Sequence, residues 1–259
     1  MPQPANERIA ALLPKLNEKQ QRWVLTLTAA LADAGQFDAG KSNFVSKAVA
    51  DDLGVVLIAH HNLFSGEAFS KDKFEYALAR SLALNGHKVE MASKGFRGRD
   101  LTVDGVGSSL KTQADSGIKP DRLWVSKWME LGKGNWSDKE DDLKGLVAQF
   151  LAHMQSYERI FQLRAFKGYN GERTWHYELI EIPKALMLRA SEGKLEMMQK
   201  SKQMPKPGYC TVFDPKTKEP IYSLYFDGGG ERKLQVTDLD KRHCVLHATW
   251  DFEVKPLAD

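Results

Sequence analysis

Residues 97–113 read RGRDLTVDGVGSSLKTQ, two short runs in which polar and apolar residues alternate on either side of a turn sequence. Such alternation predicts two antiparallel strands that form a hairpin. With Gly105-Val106 as a two-residue turn, Asp100 lies opposite Lys111 and Thr102 lies opposite Ser109. Because side chains alternate between the two faces of a strand, one face of the hairpin is then polar. The members of this polar face are Asp100, Thr102, Asp104, Ser109, Lys111 and Gln113.

The polar face of the hairpin has two interpretations. A cross-strand ion pair on an exposed surface contributes about 0.2–1 kcal/mol to stability and has no function. The same residues could instead form half of a metal-dependent active site. Two features favour the active site: Gln113 extends the polar row beyond the ion pair, and the preceding helix supplies Glu75, which can lean over the edge of the sheet.

The segment that carries Glu75 predicts an amphipathic helix. Ser70 is a candidate N-cap for the run KDKFEYALARSLAL, and Asn85-Gly86 is a helix stop. Phe74 and Leu78 recur at helical spacing and begin the buried stripe. Glu75 therefore lies beside this stripe, at the boundary between core and solvent.

Helices and strands alternate along the rest of the chain. Helices are predicted at 5–33 with a break at Pro14, at 43–53 ending at Gly54, at 141–163 and at 183–193. Strands are predicted at 87–92, 101–104 and 108–113, at 123–131 running into a short helix, in a hairpin of 160–167 and 175–182, and in an antiparallel meander after residue 208. The run VVLIA at 55–59 fits either a strand or a helix end.

This order of elements predicts an α/β fold of the α+β type, with helices flanking a mixed central sheet. We expect three regions along the chain. The first, residues 1–65, is helical; the second, residues 66–199, is the core; and the third, residues 200–259, is an antiparallel β region packed on that core.

The composition is that of a globular protein in a reducing compartment. Of the 259 residues, 42% are hydrophobic and 27% are charged, which excludes a disordered chain. The two cysteines, Cys210 and Cys244, are too few for a disulfide scaffold and lack the spacing of zinc ligands. The sequence has no apolar run of membrane-spanning length and no signal-peptide pattern at its start. We therefore expect a soluble cytoplasmic protein with no membrane partner.

The segment combines a Glu on a helix, an Asp that opens a strand, and a Lys two residues after a polar residue on the next strand. This pattern resembles that of the PD-(D/E)XK nuclease superfamily, and within it the type II restriction endonucleases. The resemblance covers residues 66–113 and extends toward Glu130. It implies a restriction-endonuclease-like core, with Asp100 as the metal-binding residue and Lys111 as the catalytic lysine. Glu75 matches the helical Glu that often reaches a metal-bound water.

The sequence departs from the family pattern at two positions. Arg99 stands where the motif has Pro, a tolerated change in that family. Ser109 stands where an acidic residue precedes the lysine by two, and a known branch of the restriction enzymes recruits a downstream Glu instead. Glu130 is then the expected second metal ligand, if the strand LWVSKW returns alongside SSLKTQ. Its rivals are Asp104, Asp115 and Asp121.

The resemblance implies a Mg²⁺-dependent endonuclease that cleaves double-stranded DNA at a short sequence. It also implies a homodimer and, as a genetic partner, a DNA methyltransferase that protects the host's own sites. Two alternatives remain open, a nicking or repair nuclease with the same core and a nucleic-acid-binding regulator without catalysis.

Basic residues around the hairpin are candidates for contacts to DNA phosphates. The net charge of the chain is only +3, so binding would depend on a local patch. The glycines of KGFRGR at 94–99 permit close approach to a DNA backbone. The candidates are Lys94, Arg97, Arg99, Lys119, Arg122 and Lys127.

Overall fold

Two β-sheets and six α-helices organise the part of the chain that the computed structural model describes, which comprises residues 3–32, 35–93, 98–132 and 136–255. The helices are α1 (Ala5–Leu12), α2 (Glu18–Ala32), α3 (Lys47–Leu63), α4 (Lys71–Leu84), α5 (Glu140–His153) and α6 (Lys184–Leu188). The strands are β1 (Gln36–Asp38), β2 (Val89–Met91), β3 (Leu101–Val103), β4 (Val106–Gln113), β5 (Arg122–Glu130), β6 (Arg159–Lys167), β7 (Thr174–Glu181), β8 (Lys194–Met197), β9 (Gly208–Phe213), β10 (Pro220–Phe226), β11 (Lys233–Asp240) and β12 (Val245–Glu253).

The first sheet has seven strands in the order β1-β12-β7-β6-β4-β3-β2. Strands β4 and β6 run parallel, and every other neighbouring pair in this sheet is antiparallel. The parallel pair is joined by a long connection that contains β5 and α5. The sheet is therefore mixed, as the sequence predicts.

The second sheet has five antiparallel strands in the order β5-β11-β10-β9-β8. Strands β9, β10 and β11 form the predicted meander. The last strand, β12, leaves this sheet and pairs with β7 and β1 in the first one. The final strands of the chain are thus divided between the two sheets.

Two apolar clusters lie on opposite faces of the first sheet. Helices α3 and α4 pack on one face through side chains such as Leu57 and Leu78, which meet Leu110 and Phe161 of the sheet. Helix α5 and the second sheet supply the other cluster, which includes Phe150 and Val236. A mixed sheet with helices α3 and α4 on one face, and helix α5 and a second sheet on the other, confirms the predicted α+β class.

The structure corrects three predictions of secondary structure. Helix α3 does not end at Gly54 but runs to Leu63, so the run at 55–59 is helical. A side chain at Gly54 would lie 2.4 Å from the Phe37 ring, so this glycine permits close approach of β1 to the helix. The segment 123–131 is strand to Glu130, with no short helix at its end.

The third correction concerns the helix predicted at 141–163, which is too long. Helix α5 ends at His153, and β6 begins at Arg159. Strand β6 is buried on both faces from Ile160 to Phe166, so its apolar residues Phe161 and Leu163 extend the helical stripe by coincidence. The break at Pro14 and the hairpin formed by β6 and β7 are confirmed.

Among the described residues, no helix is both long enough and apolar enough to span a membrane.

Candidate active site

The hairpin forms as predicted, but its register differs from the prediction by two residues. Strands β3 and β4 pair Leu101 with Ser108 and Val103 with Val106. The turn is Asp104-Gly105, with φ angles of 50° and 87°, as in the two-residue turns that favour Asp-Gly. Because the shift is an even number of residues, the side chains keep the faces that the sequence predicts. The prediction that Asp100 lies directly opposite Lys111 is wrong.

Asp100 immediately precedes β3, and backbone hydrogen bonds hold it on both sides. Its N–H donates to the Ser108 carbonyl at 2.8 Å, and its carbonyl accepts from the Ala92 N–H at 3.0 Å. Its Oδ2 accepts from the Leu110 N–H at 2.6 Å and from the Ser109 hydroxyl at 3.3 Å. One carboxylate oxygen of Asp100 is thus fixed by β4, and the other, Oδ1, remains for a cation.

That cation is the ammonium of Lys71, in the first turn of α4. Lys71 Nζ donates to Asp100 Oδ1 at 2.8 Å and lies 2.5 Å from Glu75 Oε1, one helical turn further on. Burial opposes the charge on Lys71, but its interactions with the two carboxylates outweigh burial and raise its pKa. Sequence reasoning missed Lys71. Two signals could have found it. Lys71 is four residues before Glu75, and a lysine is unusual in the first turn of a helix, where acidic residues are favoured.

Glu75 lies where the sequence predicts, at the edge of the sheet beside Asp100. Both carboxylates are 17% exposed. Glu75 Oε1 is buried, and among the described residues it has the Lys71 ion pair but no hydrogen bond of acceptable geometry. Burial raises the pKa of Glu75, Lys71 opposes the increase, and Asp100 adds to it. Among the described residues, the Lys71 ammonium is therefore the cation that contacts Glu75 Oε1.

Lys111 is on the same face of β4 as Ser109. It is buried, in contrast to the exposed ion pair that is one interpretation of the sequence. Its side chain is 8% exposed, and Nζ lies 5.8 Å from the centre of the Trp128 ring. Burial lowers the pKa of Lys111 to about 8, although the negative charge of Asp100 opposes this decrease. An exposed surface ion pair is thus the wrong interpretation of Lys111.

Two further side chains, His153 near Lys111 and Tyr157 bonded to Trp128, were not predicted to belong to the site. Burial lowers the pKa of His153, and the charge of Lys111 lowers it further. Tyr157 accepts a hydrogen bond of 2.9 Å from Trp128 Nε1, and burial raises the pKa of its hydroxyl. The sequence does indicate that Tyr157 is buried. Its proximity to the site depends on the turn between α5 and β6, which a continuous helix would remove.

Gln113 is buried within a different network. Its Oε1 accepts hydrogen bonds from Arg164 Nε at 3.2 Å and from the Trp124 N–H at 3.4 Å. Arg164 is fully buried and pairs with Glu178 at 2.8 Å. Its guanidinium also donates to the backbone carbonyls of Lys119 and Pro120 in the loop before β5, and to that of Arg122, the first residue of β5. These contacts make Gln113 part of the support for that loop.

Glu130 lies at the end of β5 in the second sheet. Strand β5 pairs with β11, where Glu130 is opposite Lys233, so the expected return of this strand alongside β4 is wrong. The Glu130 side chain is 62% exposed and pairs with Lys127 at 2.9 Å. The contacts of Asp100 lead through Lys71 to Glu75.

The rival carboxylates have other surroundings. Asp104, in the hairpin turn, accepts a hydrogen bond from the Lys88 N–H and pairs with His87. Asp115 is exposed in the loop after β4, and Asp121 is 79% exposed beside Arg122. Among the described residues, no group of three or more His, Cys, Asp or Glu side chains is arranged to hold a metal ion. Two carboxylates, Asp100 and Glu75, are what the site offers.

The predicted phosphate contacts are only partly described by the structure. Lys94 and Arg97 lie outside the described residues, and Arg99 is exposed next to Asp100. Lys119 is exposed near Asp238 at 3.9 Å, and Lys127 is exposed and paired with Glu130. Arg122 is flanked by Asp121 and Asp240. Their contacts with DNA remain predictions.

Comparisons with known proteins identify the family of this chain. The sequence model of a family described as "SmaI: Type II site-specific deoxyribonuclease" matches residues 9–252. The type II restriction enzyme SmaI of Serratia marcescens is 40% identical over 252 residues, which cover 97% of this chain and 98% of that protein. No solved structure matches the chain. The chain therefore belongs to the SmaI family of type II site-specific deoxyribonucleases, sequence-specific restriction endonucleases that act on double-stranded DNA.

Proposed function

We propose that this restriction endonuclease hydrolyses DNA phosphodiesters at a Mg²⁺-dependent site of the PD-(D/E)XK type, formed by Asp100, Glu75 and Lys111. The observation that carries the proposal is the shared cation: Asp100 Oδ1 and Glu75 Oε1 both lie within 2.8 Å of one ammonium. Two carboxylates that already converge on one positive charge are suited to converge on a metal ion.

The donor set fits Mg²⁺. This ion takes oxygen ligands, retains several waters and is usually held by one or two carboxylates together with the substrate phosphate. Asp100 and Glu75 supply those carboxylates, and the buried Oε1 of Glu75 has no hydrogen bond among the described residues. Mg²⁺, when bound, lowers the pKa of a coordinated water and neutralises charge on the phosphate.

Each residue of the site has a distinct role in this proposal. The Leu110 N–H and the Ser109 hydroxyl hold Asp100 Oδ2. Ser109 therefore orients the carboxylate of Asp100, at a motif position where related enzymes have an acidic residue. Lys111, whose pKa is about 8, is mainly a cation at neutral pH and would stabilise the negative charge that develops on the phosphoryl oxygens. Glu75 replaces Glu130 as the second carboxylate.

The first test is cleavage of bacteriophage DNA with Mg²⁺, which is expected to give discrete bands. The variants Asp100→Asn and Lys111→Met are expected to give none, whereas Glu130→Gln, which removes an exposed carboxylate of the second sheet, is a control expected to cleave normally. Normal cleavage by Asp100→Asn or Lys111→Met would refute the proposed site. Accumulation of nicked circles without linear product would favour the alternative of a nicking enzyme.

We also propose that the enzyme acts as a homodimer in the cytoplasm, with a DNA methyltransferase as its genetic partner. One chain contributes one such site, and cutting both strands in a single encounter requires two. A molecular mass in solution of twice 29.2 kDa is expected. Light scattering that gives a monomer both with and without DNA would contradict the dimer.

A further inference from the structure

We propose that Lys71 is an internal cation that occupies the divalent-metal position in the DNA-free enzyme and must leave it before the metal binds. This inference rests on the proposed function, because it takes Asp100 and Glu75 as the metal ligands. Its basis is that the ammonium contacts the same two oxygens, Asp100 Oδ1 and Glu75 Oε1, that the metal would need.

The two cations exclude each other for an electrostatic reason. Asp100, Glu75, Lys71 and Lys111 together carry two negative and two positive charges, so the site is neutral without a metal. A divalent ion added beside both ammoniums would leave an excess of two positive charges in a partly buried place, where charge repulsion is strong. Displacement of Lys71 removes one of these charges and frees both oxygens.

Lys71 is the ammonium that is able to move. Its side chain is 40% exposed, whereas Lys111 is 8% exposed and faces Trp128. A lysine at the first position of α4 is also unfavourable for the helix itself, since the positive end of the helix dipole lies there. Ser70 makes no side-chain capping hydrogen bond that would offset this repulsion. The position of Lys71 is therefore explained by the two carboxylates that its ammonium contacts.

The displaced ammonium has a partner in the substrate. A DNA phosphate that arrives at the exposed side of the site is an anion that attracts a lysine. DNA would then draw Lys71 away from Asp100 and Glu75 while its phosphate adds a ligand for the metal. The enzyme would bind metal weakly until DNA is present, which couples cofactor binding to substrate binding.

Mn²⁺ binding to the DNA-free enzyme, measured by electron paramagnetic resonance of the free ion, tests this inference. Lys71→Met and Lys71→Gln, which both remove the charge, are expected to bind Mn²⁺ at least about tenfold more tightly than wild type. Lys71→Arg keeps the charge and is expected to bind as weakly as wild type. Lys73→Met is a matched control, because Lys73 lies on the same helix but pairs with Glu67.

The outcomes separate this inference from the proposed function. Suppose that both uncharged variants bind Mn²⁺ no more tightly than wild type, and that Lys71→Met/Asp100→Asn does not bind it. The role of Lys71 would then be refuted, while the metal site would stand. Mn²⁺ binding that is unaffected by Asp100→Asn would overturn the metal site and this inference with it. Adding DNA is expected to tighten Mn²⁺ binding more in wild type than in Lys71→Met, and an equal gain in both would also contradict the inference.

Discussion

Replacement of Lys111 by Met should stabilise the metal-free protein while it abolishes cleavage. Methionine has nearly the length of lysine and no charge, so it fills the space beside Trp128 without the cost of a buried ammonium. Folding lowers the pKa of Lys111 from 10.5 to about 8. At 1.36 kcal/mol per pKa unit, the ammonium costs the folded state about 3 kcal/mol near neutral pH.

The sign of the pH dependence follows from the direction of this change. Between pH 8 and pH 10.5 the unfolded chain binds more protons at this residue than the folded one, so the wild-type protein gains stability as the pH rises. The cost is fully present below pH 8 and falls to about 1 kcal/mol at pH 10. The advantage of Lys111→Met should therefore be largest near pH 7 and should shrink at pH 10.

Urea denaturation of the metal-free protein at pH 7 and pH 10 measures this difference. Lys111→Met is expected to be more stable by up to about 3 kcal/mol at pH 7 and by about 1 kcal/mol at pH 10. Lys127→Met, which removes an exposed ammonium, is the control and should change stability little at either pH. A variant that is less stable than wild type at pH 7, or whose advantage is the same at both pH values, would refute the burial argument.

Three further predictions concern the carboxylates of the site and the buried arginine. Ca²⁺ should support DNA binding without cleavage, because it fills the same oxygen site with looser geometry. In a gel-shift assay, Asp100→Asn should lose the part of DNA binding that depends on Ca²⁺. Full cleavage in EDTA would show that no metal is required. Glu75→Gln should lower the rate of cleavage at least about 10²-fold, whereas Glu130→Gln should cleave at the wild-type rate. In single-turnover kinetics, a slow Glu130→Gln and a fast Glu75→Gln would restore Glu130 as the metal ligand. Arg164→Met should lower the free energy of unfolding by about 3–5 kcal/mol. It breaks the buried pair with Glu178, which keeps only Lys241 and His176 nearby among the described residues, and it removes the donor to the carbonyls of Lys119, Pro120 and Arg122. A loss below about 1 kcal/mol in urea denaturation would show that these contacts contribute little.

The sequence predicts well those features that depend on local patterns. The side-chain stripe of α4 places Glu75 correctly beside the sheet, and the alternation in 97–113 gives the correct faces of the hairpin even though the turn is displaced. Asp-Gly at 104–105 is the more favourable turn dipeptide, so the correct register was available from the sequence. These successes explain why the pair formed by Asp100 and Glu75 could be anticipated.

The features that sequence reasoning missed depend on contacts between distant segments. Strand β5 could not be assigned to the second sheet, because its partner β11 lies about a hundred residues further along the chain. The burial of Lys111 follows from Trp128 and from the end of α5, neither of which the hairpin specifies. The expectation for Glu130 requires the strand that precedes it to pair with β4, a place that β6 takes.

The position of the metal tests the central claim most directly. Anomalous diffraction from crystals of the enzyme soaked with Mn²⁺ in the presence of its DNA locates the ion independently of activity. We predict a peak within about 2.5 Å of Asp100 Oδ1 and Glu75 Oε1, at the position that Lys71 Nζ occupies without metal. A peak at Glu130, or at any carboxylate other than these two, would contradict the account.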